Sequence, residues 1–218
     1  MERRRQPALN LEWWWPLQAR LEREFGHDPR RESVALRLLQ RLGRPSGELP
    51  RFRGRSVLVV GAGLRPDETL PRGALVAADG AVRGCRERGR VPALVVSDLD
   101  GYRDDLRWVL AGGAALVVHG HGDNLAALGE WLPRLRPAAL TARRSAPGVA
   151  CWGGFTDGDR AVLAALAMGA RRVRLAGFSF DAVGPYSGRS RGRLKRKKLA
   201  WAQRILRAAA REYPAFEF

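Results

Sequence analysis

Two kinds of apolar periodicity divide the chain near residue 50. Before that point Leu9, Leu11, Trp14, Leu17, Leu21 and Phe25 recur at helical spacing. Val34, Leu36, Leu38, Leu39 and Leu42 make a second amphipathic stretch that ends near Gly43. Pro16 is expected to kink or restart the first helix, because proline has no N–H and crowds the preceding turn. Arg44-Pro45-Ser46-Gly47 and Pro50 then interrupt the pattern. The expected organisation is a helical N-terminal segment over 1–50 and a second unit over 51–218.

From residue 55 short apolar runs alternate with amphipathic ones. Val57-Leu58-Val59-Val60, Ala74-Leu75-Val76-Ala77, Ala93-Leu94-Val95-Val96, Ala115-Leu116-Val117-Val118, Ala138-Ala139-Leu140 and Val173-Arg174-Leu175-Ala176 suit strands. The most continuous runs suit strands buried on both faces, as in a parallel sheet. Helices are expected over 80–89, 102–111, 124–135 and 157–169. A last one over 192–212 carries Leu199, Trp201, Ile205 and Leu206. This alternation predicts an α/β fold: a mostly parallel open sheet with flanking helices.

Polar residues then gather where the strands end. Gly61-Ala62-Gly63, Asp79-Gly80, Asp98-Leu99-Asp100-Gly101, His119-Gly120-His121-Gly122-Asp123-Asn124 and Gly177-Phe178-Ser179-Phe180-Asp181 each follow an apolar run. A further cluster is Gly153-Gly154-Phe155-Thr156-Asp157-Gly158-Asp159-Arg160. In a parallel sheet all carboxyl ends lie on one edge, and ligands bind there. Asp79, Asp98, Asp100, Asp157 and Asp159 are therefore expected to converge. Carboxylates so packed repel unless a cation compensates, and an oxygen-rich set beside glycine loops suits Mg²⁺. A single Asp after a strand also serves as a helix cap, which is an equal reading for Asp79, Asp123 or Asp157 alone. The pairs Asp98/Asp100 and Asp157/Asp159 exceed what capping needs. On extended backbone such i, i+2 pairs face the same way.

The remaining motifs leave alternatives open. Gly61-Ala62-Gly63 lacks the third glycine of a dinucleotide fingerprint and reads as a phosphate-approaching turn or a plain tight turn. His119-Gly120-His121-Gly122-Asp123 looks like the start of a zinc site. The only other histidine is His27, so contact with phosphate or substrate is the favoured reading, with His119 alternatively orienting the loop. Trp13-Trp14-Trp15 reads as core or interface before ligand stacking. The basic run from Arg189 to Lys198 reads either as a solvated helix face or as a phosphate clamp. In the clamp, Lys195, Lys197 and Lys198 act with Arg191 or Arg193.

Composition changes this picture little. The 218 residues are 45% apolar and 28% charged, ordinary for a globular chain. No apolar run approaches the roughly 18–20 residues that span a bilayer. Arg3, Arg4 and Arg5 precede no signal-peptide core, so a cytoplasmic protein is expected. Cys85 and Cys151 are not spaced as a zinc or redox pair and are expected as two reduced thiols. The net charge is +17 and lysine occurs only at 195, 197 and 198. Arginine scattered throughout points first to compositional drift, then to an anionic ligand, and last to nucleic acid.

The ordered set of strand-end motifs resembles the archaeal MptE-like family of 6-hydroxymethyl-7,8-dihydropterin pyrophosphokinases. It comprises Ala77-Ala78-Asp79-Gly80, Ser97-Asp98-Leu99-Asp100-Gly101, the His119–Asn124 run and Gly153–Ala161. Gly177-Phe178-Ser179-Phe180 and Lys197-Lys198-Leu199-Ala200-Trp201-Ala202 fit its later segments, and the tryptophan-bearing start fits too. The resemblance implies a sheet like the catalytic domain of thiamin pyrophosphokinases. It implies ATP and Mg²⁺ as requirements, AMP as by-product, and a place in tetrahydromethanopterin or folate-type coenzyme synthesis.

Carried over, Asp98 and Asp100, with Asp79, fall where metal ligands lie, and Asp79 alternatively holds the pterin's amino edge. Asp157 or Asp159 takes the hydroxyl proton. Gly61, Gly63, His119, His121, Asp123, Asn124, Thr156, Arg160, Lys195 and Lys197 fall around substrate and phosphate. Leu64 and Arg65 stand where a small polar residue is expected, and Ser179 where an acid is. Three other readings stay open: transfer to thiamin, a nucleotide-sugar glycosyltransferase, and a nucleic-acid-binding module. Homo-oligomerisation is also open.

Overall fold

The computed structural model describes residues 8–187 and 192–218. Arg3, Arg4, Arg5, Arg189 and Arg191 lie outside the described residues. Six strands form one parallel sheet: β1 (Ser56–Val60), β2 (Ala74–Ala78), β3 (Leu94–Ser97), β4 (Ala115–His119), β5 (Ala139–Thr141) and β6 (Arg172–Ala176). Their spatial order is β5-β4-β3-β2-β1-β6. β1 to β5 step steadily in one direction, and β6 then returns to the far side of β1. The order reverses beside β1, which is where open α/β sheets form a ligand crevice.

Central β2 and β3 are buried almost throughout, as their unbroken apolar runs require. β6 lies at an edge, and Arg172 and Arg174 alternate outward around buried Val173. That edge is covered by the C-terminus: Val173 N donates to Ala215 O and Glu217 N to Val173 O. The β5 edge is covered by a bridge from Thr141 to Ala150.

The helices are α1 (Trp14–Phe25), α2 (Pro29–Leu42), α3 (Ala81–Glu87), α4 (Arg103–Ala111), α5 (Leu125–Trp131), α6 (Asp157–Ala167) and α7 (Arg193–Glu212). One face of the sheet packs α2, α3, α4 and α5. The other packs α6, which crosses from β5 to β6 and is itself covered by α7. Buried on all sides, α6 uses Ala161, Ala164 and Ala165 to approach the strands closely.

The N-terminal helices are part of this packing. Ala35 and Leu39 of α2 are fully buried in the same core as Val118, Leu128 and Leu140. Burying one such leucine contributes about 1.5–3 kcal/mol. Trp14 and Leu21 of α1 pack against Trp201 and Ile205 of α7. Pro16 lies in the first turn of α1, where no intrahelical N–H is needed, so the expected kink is absent. The helix expected over 124–135 is shorter: Leu132–Arg134 forms a 3-10 turn around Pro133. Trp13 and Trp14 are packing residues, while Trp15 is partly exposed. Cys85 and Cys151 are both free. Among the described residues no helix is long and apolar enough to cross a membrane.

Candidate active site

A cavity of about 730 Å³ opens over the carboxyl ends of the strands. Its acidic centre comes from β2 and β3. Asp79 follows β2 directly, with φ at 27°. Ser97, the last residue of β3, donates its hydroxyl to Asp79 Oδ1 and accepts from the N–H of Leu99. Leu99 in turn has φ at 69°, and this sharp turn sets Asp98 and Asp100 on either side of it. Asp79, Asp98 and Asp100 each offer an oxygen within 4.8 Å of the others.

Asp157, the first residue of α6, faces the same group. Burial and repulsion from Asp98 push its carboxyl well above the ordinary range, against the pull of Arg160. Burial, then Asp157, Asp98 and Asp100, do the same to Asp79. Asp100 is pushed up to about 6 by burial and by Asp98. Asp98 goes the other way. Burial opposes its charge, but the hydrogen bond from His121, with the charge of Arg160, holds it well below the usual range.

This donor set fits Mg²⁺. It is all oxygen, and its mutual repulsion is what a divalent ion relieves. Room is kept by Gly101, where a Cβ would stand 2.3 Å from Asp79 Oδ2. Among the described residues no group with histidine or cysteine is assembled for a metal. The zinc-like reading of His119-Gly120-His121 is therefore not what the fold builds.

His121 holds Asp98 instead. Its Nδ1 accepts from Asp123 N–H at 3.3 Å, which fixes the proton on Nε2, and Nε2 donates to Asp98 Oδ2 at 3.2 Å. Asp123 stands exposed on the cavity rim.

Several expected ligands are corrected to framework. Asn124 is buried, and its amide donates to Asp98 O and His119 O while accepting from His121 N. Its hydrogen bonds are spent joining the ends of β3 and β4. His119 is buried with Nδ1 on Thr141 Oγ1, and burial keeps it neutral. Neither residue is among those lining the cavity.

Asp159 does not pair with Asp157. It forms a capping box with Thr156, accepting from the N–H groups of Phe155 and Thr156 and from the Thr156 hydroxyl. The i, i+2 argument fails because both aspartates lie in a helix, where positions two apart diverge. The Thr156 hydroxyl is occupied in that box as well. Gly61 and Gly63 line the cavity, but their N–H groups donate to Ala176 O and Gly177 O. They are glycines because a Cβ would meet Gly177 O at 2.6 and 2.8 Å.

The cationic side is partly as expected. Lys195 lines the cavity with Lys198. Lys197 turns away to Glu24 at 3.2 Å and lies over the ring of Phe25. Arg160 is 9% exposed, lines the cavity, reaches Asp157 at 3.4 Å, and leaves Nε without a partner among the described residues. Gly154, with φ at 92°, leaves it space: a Cβ there would lie 2.6 Å from Arg160 Cγ.

Lining residues with no expected role include His27, Glu32, Tyr102, Arg103, Arg143 and Tyr186, while Phe155 lay in an expected cluster without a role of its own. Arg143 follows β5, the one strand end without a Gly, Asp or His cluster. Its position after an apolar run was the only signal. His27, in the turn between α1 and α2, and Glu32, in α2, carried none.

No family model matches the sequence. Three curated archaeal proteins, each called 6-hydroxymethyl-7,8-dihydropterin pyrophosphokinase, are similar to it. The protein of Pyrococcus furiosus is 35% identical over 190 residues, 80% of each chain. That of Methanothermobacter thermautotrophicus is 40% identical over 141 residues, so the match spans 61% of the length of each chain. That of Methanocaldococcus jannaschii is 26% identical over 196 residues.

Proposed function

Because the chain belongs to the 6-hydroxymethyl-7,8-dihydropterin pyrophosphokinase family, we propose that it moves the diphosphate of ATP onto the hydroxymethyl group of that pterin. The observation carrying this reading is the acidic cluster of Asp79, Asp98 and Asp100 in a cavity that also holds Arg160, Lys195 and Lys198. Carboxylates for a divalent ion beside cations for phosphate oxygens are the parts that phosphoryl transfer uses.

The hydroxymethyl oxygen attacks the β-phosphorus in line. The bond from that phosphorus to the α–β bridging oxygen breaks, and AMP leaves with the oxygen. The hydroxyl proton passes to a carboxylate, for which Asp157 is the candidate because it starts α6 and faces the acidic cluster. Arg160, Lys195 and Lys198 offset charge on the phosphate oxygens and hold them in register. Asp79, Asp98 and Asp100 would hold Mg²⁺, which when bound neutralises phosphate charge. Asp159, Thr156, Asn124 and His119 hold the framework. Cytoplasmic residence goes with an ATP substrate and two unpaired thiols.

The test is AMP release by the full chain with ATP and Mg²⁺, offered the pterin, thiamin or a sugar nucleotide in turn. Release with the pterin alone is expected. Turnover with thiamin and none with the pterin would replace this reading by its nearest rival.

A further inference from the structure

The cavity has two ends of different chemistry, and the sheet order sets them apart. Gly61, Gly63 and Gly177 lie beyond β1 and β6, with Phe178 and Tyr186 beside them. Arg143 lies beyond β5, at the opposite edge. At roughly 4.8 Å per strand, β5 and β6 stand about 24 Å apart. The aspartates after β2 and β3 fall between.

At the β5 end four charged or polar groups and an aromatic ring converge. Arg143 is partly buried and approaches both Glu22 and Glu32 at 3.6 Å, too far for a hydrogen bond to either. It donates to His27 Nδ1. Arginine stays protonated, so His27 must be the acceptor and is neutral. Burial, then Arg143, indeed lowers His27 to about 4. Glu32 Oε1 accepts from Gly122 N–H. The rings of His27 and Phe155 lie 6.0 Å apart and are tilted by 52°, so each presents its own face to this end.

A pterin carries a 2-amino group and a ring N–H beside a 4-oxo group. A carboxylate matches the two donors, and a neighbouring guanidinium matches the oxygen. Adenine and the thiamin pyrimidine have no such carbonyl and would leave Arg143 without a partner on the ligand. We infer that Glu32 and Arg143 read the 2-amino-4-oxo edge of the acceptor, with the ring of Phe155 as its stacking face. This assignment rests on the proposed transfer to a pterin. The adenosine takes the glycine-walled end at the order reversal beside β1.

The test uses steady-state AMP release by the full chain and two variants, with the pterin and with its 2-desamino analogue. Glu32→Gln keeps an oxygen for Gly122 N–H but loses the charge. It is expected to raise KM for the pterin about tenfold or more, leave KM for ATP unchanged, and erase discrimination against the analogue. Phe155→Leu keeps an apolar side chain against Phe25 but loses the ring. It is expected to raise KM for the pterin alone while discrimination is kept. A rise in KM for ATP in either variant, or full discrimination in E32Q, overturns the assignment. A wild-type chain that releases no AMP with the pterin fails at the functional reading itself, and the assignment falls with it. An active wild type with unchanged variants overturns the assignment only.

Discussion

His121 and Asp98 are joined by a hydrogen bond whose direction is fixed from both sides. Asp123 N–H occupies Nδ1, so Nε2 carries the proton and points at Oδ2 of Asp98. Imidazoles that orient metal-binding groups in this way typically carry about 10–100-fold in metal affinity. His121→Ala is therefore expected to raise the Mg²⁺ concentration for half-maximal AMP release by a factor in that range. A Mg²⁺ titration of initial rates checks it, and an unchanged midpoint removes His121 from this role.

The carboxylate cluster is costly to fold without a cation. Asp98→Asn is expected to cut AMP release roughly a hundredfold or more while circular dichroism stays native. Asp100→Asn relieves repulsion among Asp79, Asp98 and Asp100. It is expected to melt higher than wild type without metal and to gain less when Mg²⁺ is added. Thermal melts with and without Mg²⁺ measure both. Full activity in the two variants would remove the site assignment.

Asp157 and Asp159 share a helical turn but differ in their surroundings. Asp157→Asn is expected to lose turnover with little change in the urea midpoint. Asp159→Ala breaks the capping box and is expected to cost about 1 kcal/mol or more, with kcat largely kept once the protein is folded. Equal loss of turnover in both would contradict the separation.

Gly120 is small because α2 lies against it. A Cβ there would sit 2.7 Å from Leu39 Cδ1, and Leu39 is fully buried. Gly120→Ala should therefore destabilise the chain by about 1–3 kcal/mol, as overpacking does. Chemical denaturation reads the change, and a compensating Leu39→Ala should recover part of it.

His27 supplies a pH dependence of stability. Its folded value, about 4, lies below the roughly 6.5 of an unfolded histidine. Between these values the unfolded chain binds the extra proton. Stability from this residue is full above about pH 6.5 and falls as the pH drops toward 4, then levels off. His27→Gln, which keeps an acceptor for Arg143, should lose less of its urea midpoint than wild type between about pH 7 and pH 5. Parallel curves for the two would exclude the effect.

The sheet was legible because buried parallel strands must be apolar without interruption, and such runs as Val57–Val60 end abruptly in polar turns. Their parallel order then placed Asp79, Asp98 and Asp100 together without further assumptions. What stayed hidden depends on rotation or distance. Lys195 and Lys198 share a face with Leu199 and Ala202, at helical steps of three, four and seven. Lys197, two positions from Lys195, points elsewhere, and the helical period alone would have separated them. Asp159 was read as chemistry because a capping box and a ligand pair look alike until the backbone is known to be helical. Arg143 meets Glu22, Glu32 and His27 across more than a hundred residues, and no local pattern reports such a meeting.

The peptide of Gly122 is gripped twice by α2: Arg31 Nε donates to its oxygen at 2.9 Å, and Glu32 accepts its N–H at 3.1 Å. The next residue but one toward the N-terminus is the glycine that Leu39 presses on, and His121 sits between the two. Trimming the first fifty residues would thus release the clasp on the very loop that aims at Asp98, and lay bare the apolar flank of Leu128 and Leu140. The opening helices are as much a scaffold for that loop as the sheet is.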